Sequence, residues 1–159
     1  MKPSRYISTM THPLKFCFAM LYQLPSAVFW GMRINTLNET ECMVSLPYRW
    51  STKNPFKSTY FAALSGAGEL ATGALAQLAV IEKGSFSMLV VGFKAEFYKK
   101  ADQKVFFHCR QGAEVRILLD QLQKAGDSGQ ITLFAEGLNK EKELVAKISV
   151  TWSFKRRKV

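Results

Sequence analysis

A chain of 159 residues is the length of one domain, and its 48% hydrophobic and 21% charged residues exclude wholesale disorder. Its 22 Lys+Arg against 12 Asp+Glu leave a net charge of +10. That balance favours a polyanionic partner: nucleic acid, anionic lipid or a phosphate-bearing small molecule. Cys17, Cys42 and Cys109 follow no CxxC or Cys/His spacing, so they read as reduced thiols of a cytoplasmic protein. With only His12 and His108 as imidazoles, no multi-histidine metal site is expected.

At the N-terminus Lys2 and Arg5 precede an apolar stretch, but Lys15, Gln23 and Pro25 interrupt it. That argues against a secretory signal and for an amphipathic helix over about 13–24, ended by Pro25. Val28, Trp30, Met32 and Ile34 then alternate with Gly31, Arg33 and Asn35, the period of a strand. A turn over 35–40 leads to a second alternating run at Cys42, Val44, Leu46 and Tyr48, so the pair is expected to form a hairpin. After a polar loop with Asn54-Pro55 comes a long apolar segment, read as a helix over about 58–82 and closed by Lys83-Gly84. Its length matches a membrane span. However, it is built largely from Ala, Gly, Ser and Thr and holds Glu69 and Gln77, so burial in protein is expected and stable membrane insertion is not.

Beyond Gly84 the period returns to two. Strands are expected around residues 89–97, 105–109, 131–135 and 144–154, with a helix over about 114–124. The fold class is α+β in a single domain over 1–159. About six antiparallel strands form a curved sheet around one long central helix, and a basic tail follows at 155–159. Free sheet edges would be used by pairing copies, as a homodimer or a dimer of dimers.

Glu69 is the only charged residue between Tyr60 and Ile81. A carboxylate in such surroundings loses hydration, so it must find partners or titrate upward. Two readings stand at this point: a general base or nucleophile, and a structural Glu bonded to a neighbouring strand or subunit.

The segment from Asn54 through Tyr60, Phe61, Ala62 and Glu69 to Gly73 resembles the start of the central helix in hotdog-fold acyl-CoA thioesterases. Those enzymes carry an Asn, then His-Gly-Gly, then an Asp or Glu, and Asn54, Tyr60 and Glu69 fall on that spacing. The closing strand around Val150-Thr-Trp-Ser-Phe154 is similar to that of the DUF4442-type, thioesterase-like branch. The resemblance implies hydrolysis of an acyl-CoA or related acyl thioester, with coenzyme A only as part of the substrate and no separate cofactor. Glu69 of a facing subunit would activate water or attack directly, and Asn54 would orient the water or the loop. Backbone amides near Phe61 or Ala62 would hold the oxyanion. Tyr60, Phe61 and Ala62 stand where the family has His-Gly-Gly, so the backbone is less open to substrate. A non-catalytic acyl-thioester-binding protein is therefore the alternative.

Other motifs weigh less. Gly66, Gly68 and Gly73 lie within the helix and read as close-packing positions rather than a dinucleotide fingerprint. Ser65 lacks the strand–turn–helix context of a nucleophile elbow. His108 and Cys109 are adjacent on a strand, so they face opposite ways. Lys99 and Lys100 would suit the phosphates of coenzyme A. No nucleic-acid-binding module is present, so no nucleic-acid partner is expected, and a basic nucleic-acid or membrane-surface protein is the remaining reading.

Overall fold

The computed structural model describes residues 1–158; of the basic tail, Val159 lies outside the described residues. Six strands form one antiparallel sheet: β1 (Arg33–Leu37), β2 (Cys42–Leu46), β3 (Phe86–Phe97), β4 (Val105–Cys109), β5 (Ser128–Leu138) and β6 (Leu144–Arg156). Their order across the sheet is β1-β2-β4-β5-β6-β3. The helices are α1 (Pro3–Thr11), α2 (Pro13–Gln23), α3 (Pro25–Phe29), α4 (Phe61–Lys83) and α5 (Gly112–Gln121).

The sheet curves around α4, whose many alanines allow close approach to the strands. Ala63, Ala67, Ala71, Leu75, Leu78 and Ala79 are fully or nearly fully buried. At Gly68 a Cβ would lie 2.4 Å from Ile148 Cγ1 of β6, so only glycine permits the helix to sit this close. α4 is long and apolar enough to cross a membrane; in this fold those apolar faces are covered by protein. The helix stops at Gly84, whose φ of +114° reverses the chain into β3.

The N-terminal region differs from the sequence expectation. A helix does fill Pro13–Gln23, but Pro25 does more than end it: Pro3, Pro13 and Pro25 each open a helix at its first position. The alternation from Val28 is not a strand. Residues 25–29 are helical, Gly31 turns the chain at φ +71°, and β1 begins only at Arg33. A Cβ at Gly31 would collide with the Arg49 guanidinium, which donates to the Phe29 carbonyl at 2.6 Å. The alternating signal has another cause: Trp30 and Met32 both turn inward against α4 at Gly66.

Two boundaries also move. The central helix begins at Phe61 rather than near 58, because Thr59 is held by Ala101 and Tyr60 is the extended N-cap residue. The basic tail is not simply solvated: Lys155 and Arg156 belong to β6, and the Arg156 guanidinium lies 5.2 Å from the Phe86 ring centroid.

Candidate active site

The loop before α4 is shaped by Asn54. Its side-chain amide donates to Ser58 Oγ (2.9 Å), and its side-chain oxygen accepts the backbone N–H groups of Phe56 (3.0 Å) and Ser58 (3.1 Å). In this state the side chain is occupied with its own loop. Next, buried Thr59 donates its N–H (2.6 Å) and hydroxyl (2.9 Å) to the Ala101 carbonyl. Tyr60 N–H donates to the Thr52 carbonyl at 2.7 Å. These bonds fix the start of α4 against the segment that follows β3.

At that start, the N–H groups of Phe61 and Ala62 have no acceptor within the helix, and Tyr60 supplies no side-chain cap. They are preorganised donors at the positive end of the helix dipole. The Tyr60 and Phe61 rings stack edge to face, 4.9 Å between centroids, and remain 44% and 58% exposed. They stand beside the free amides rather than packing into the core.

The Thr59–Ala101 bonds bring Lys99 and Lys100 to the same end of α4. The two differ: the Lys99 ammonium pairs with Glu143 at 2.5 Å and, with Asn139, holds that carboxyl below its ordinary range. Lys100 is exposed.

Glu69 sits eight residues into α4, roughly 12 Å along the axis from Phe61. Its Oε1 lies 3.3 Å from where a Gly73 Cβ would be, so the side chain leans away from the helix start. Its backbone carbonyl accepts the Thr72 hydroxyl (2.9 Å), but among the described residues no donor or cation reaches the carboxylate. The group is half-buried, and loss of hydration pushes its pKa up. One helix therefore cannot present both its terminal amides and Glu69 to a single carbonyl.

Glu69 borders a pocket of about 340 Å³ between α4 and the N-terminal helices. Its walls are mainly apolar, with Met10, Met20, Met88 and Trp152 among them, and Gln23 and Gln77 add polar atoms. Glu69, Gly73 and Gln77 follow one another at intervals of four along a single ridge of α4. Gly73 keeps the floor open between the two polar side chains. Trp152 is fixed by its indole N–H, which donates to Thr72 Oγ1 at 3.1 Å. Sequence reasoning missed this pocket. The four-residue steps from Glu69 through Gly73 to Gln77 are visible in the sequence, but the wall that α1 supplies through Tyr6 and Met10 is not.

The other reactive side chains stand apart from this place. Cys42 and Cys109 are buried, and burial pushes both thiols up, Cys109 to about 11. His108, on the opposite face of β4 from Cys109, is held below its ordinary value by partial burial and by Arg110. Ser65 has no side-chain hydrogen bond to a base among the described residues.

Several solved structures share this fold. A protein of unknown function from Chlorobaculum tepidum TLS superposes with a TM-score of 0.76 at 15% identity, covering 94% of this chain and 99% of that one. A Pseudomonas aeruginosa protein described as "Probable Thioesterase" gives 0.76 at 19% identity, with coverage of 94% and 99%. A thioesterase from Haemophilus influenzae gives 0.66 at 11% identity, with 91% of both chains covered. At these identities the likeness establishes the fold. No curated protein matches the sequence. The family model described as "Domain of unknown function (DUF4442)" matches residues 15–154. The chain therefore belongs to the DUF4442 family, and its fold is the thioesterase-like hotdog fold.

Proposed function

We propose that the protein hydrolyses an acyl thioester, such as an acyl-CoA, at a site shared by two copies of the chain. The observation that carries this reading is Glu69: a half-buried carboxylate without a partner among the described residues, beside an apolar pocket. A structural Glu of the kind the sequence also allowed would have a donor within reach. This one is kept with a raised pKa, which suits a general base working near neutral pH.

In the proposed reaction the thioester carbonyl accepts hydrogen bonds from the Phe61 and Ala62 amides of one copy, and the acyl chain enters the pocket. Glu69 of the second copy takes a proton from water as the water oxygen bonds to the carbonyl carbon. The negative charge that develops on the carbonyl oxygen is stabilised by the amides and the helix dipole. Collapse of the tetrahedral intermediate breaks the C–S bond. The leaving thiolate takes the proton from Glu69, giving a carboxylic acid and free thiol. Lys100, at the same end of α4, would attract the phosphates of coenzyme A, whereas Lys99 would first have to leave Glu143.

A thiol-release assay over acyl-CoA esters of increasing chain length tests the reading. Glu69→Gln should lower the rate by at least tenfold, within the roughly 10²–10⁴ that a general base contributes. An unchanged rate in that variant would remove Glu69 from the mechanism. The Tyr60–Phe61 stack, in place of open backbone, favours a second reading: an acyl-thioester-binding protein without turnover. Saturable CoA-ester binding with no thiol release at any chain length would select it.

A further inference from the structure

A second apolar surface lies on the outer face of α2, away from the pocket. Leu14, Phe18, Leu21 and Tyr22 recur at i, i+4, i+7 and i+8 and all point to solvent, with Phe18 74% and Tyr22 92% exposed. The opposite face holds Phe16 and Met20 in the core. An α-helix apolar on both sides is normally covered on both; among the described residues nothing covers the outer side of α2.

The charge around that face is one-sided. Residues 1–38 contain Lys2, Arg5, Lys15 and Arg33 and no Asp or Glu. Lys2, Arg5 and Lys15 are exposed, and Lys15 bridges the two helices by donating to Ser8 Oγ of α1 at 3.0 Å. Exposed aromatic and aliphatic side chains on a helix whose own segment, residues 1–38, carries cations and no acidic residue match an interfacial helix at an anionic lipid surface. A second copy fits less well, because a two-fold contact through this face would set Lys15 and its cationic neighbours against their own mates.

We propose that α1 and α2 form a peripheral docking surface for anionic membranes, with α2 lying in the plane of the headgroups. Phe18 and Leu21 enter the acyl boundary, while Lys2, Arg5 and Lys15 face lipid phosphates. The pocket bordered by Glu69 lies directly beneath these helices. This proposal stands on the helix surface and its charge, independently of the thioester reading.

Vesicle sedimentation with the full chain tests it, using phosphatidylcholine alone and phosphatidylcholine mixed with phosphatidylglycerol. The protein should bind the mixed vesicles far better, and less well as salt rises. Phe18→Ser with Leu21→Ser should weaken binding at least tenfold. Lys2→Gln, Arg5→Gln and Lys15→Gln should each cost on the order of fivefold. Both positions of the serine pair are exposed, so circular dichroism should be unchanged. Three results would overturn the proposal: wild-type protein that ignores anionic vesicles, binding that survives the α2 changes but not Arg157→Gln with Lys158→Gln, or α2 changes that alter the oligomeric mass instead.

Discussion

Glu69 costs the folded protein stability whenever it is ionised, since burial removes hydration that no partner among the described residues replaces. Its pKa is raised on folding, so the native state binds its proton more tightly than the unfolded chain does. Stability therefore falls as pH rises from the ordinary carboxylate value through the raised one, and stays lower above it. Glu69→Gln removes this penalty. The variant should melt ~2 °C or more above the wild type at neutral pH, and the gain should vanish in acid, where both side chains are neutral. A lower Tm for the variant at neutral pH would mean that the carboxylate is held by favourable contacts. A residue that costs the fold stability without a structural partner is the kind that function, rather than folding, explains. Glu69 was legible in the sequence because it is alone in a long apolar segment. The occupied state of Asn54 was not, because Asn-Pro spacing does not say whether the side chain bonds its own loop or a ligand.

At the scale of elements, β3 is the long edge of the sheet, β1 being the short one. It pairs only with β6, and Leu89, Val90, Val91, Phe93 and Phe97 remain open to solvent. The middle of the strand is apolar and exposed on both faces. A long apolar edge of this kind is an aggregation hazard unless it is covered, and a second copy of β3 would cover it while bringing two α4 helices into one site. Light scattering should therefore give an assembly of at least two chains. Leu89→Lys with Phe93→Lys should reduce it to single chains, and thiol release should fall with it. A wild-type monomer, or full activity in the monomeric variant, would contradict the shared site. The second arm of the hairpin and the last three strands are legible because their period of two is that of half-buried strands, whereas the first arm, Arg33–Leu37, lies largely within the turn expected over 35–40. α3 was hidden because Trp30 and Met32 turn inward from a helix end and a glycine turn, which imitates a strand's alternation. The cue was the proline at the head of each of the three N-terminal helices.

At the scale of the molecule, the order hairpin, long helix, antiparallel strands was enough to place the chain in its fold. The pocket was beyond reach of sequence, because its walls combine Tyr6, Leu70, Met88 and Trp152 from four elements, and no local period links them. Its position beneath α1 and α2 joins the candidate chemistry to the surface charge with which the sequence began. The proposed hydrolysis rests most on Glu69 acting as a base while deprived of water. The pH dependence of kcat for thiol release measures this directly. Wild-type kcat should rise with pH through a single ionisation whose midpoint lies above 4.5, the ordinary value for this carboxyl, and Glu69→Gln should abolish that limb along with most of the rate. A midpoint at or below the ordinary value, or the same limb surviving in Glu69→Gln, would contradict it.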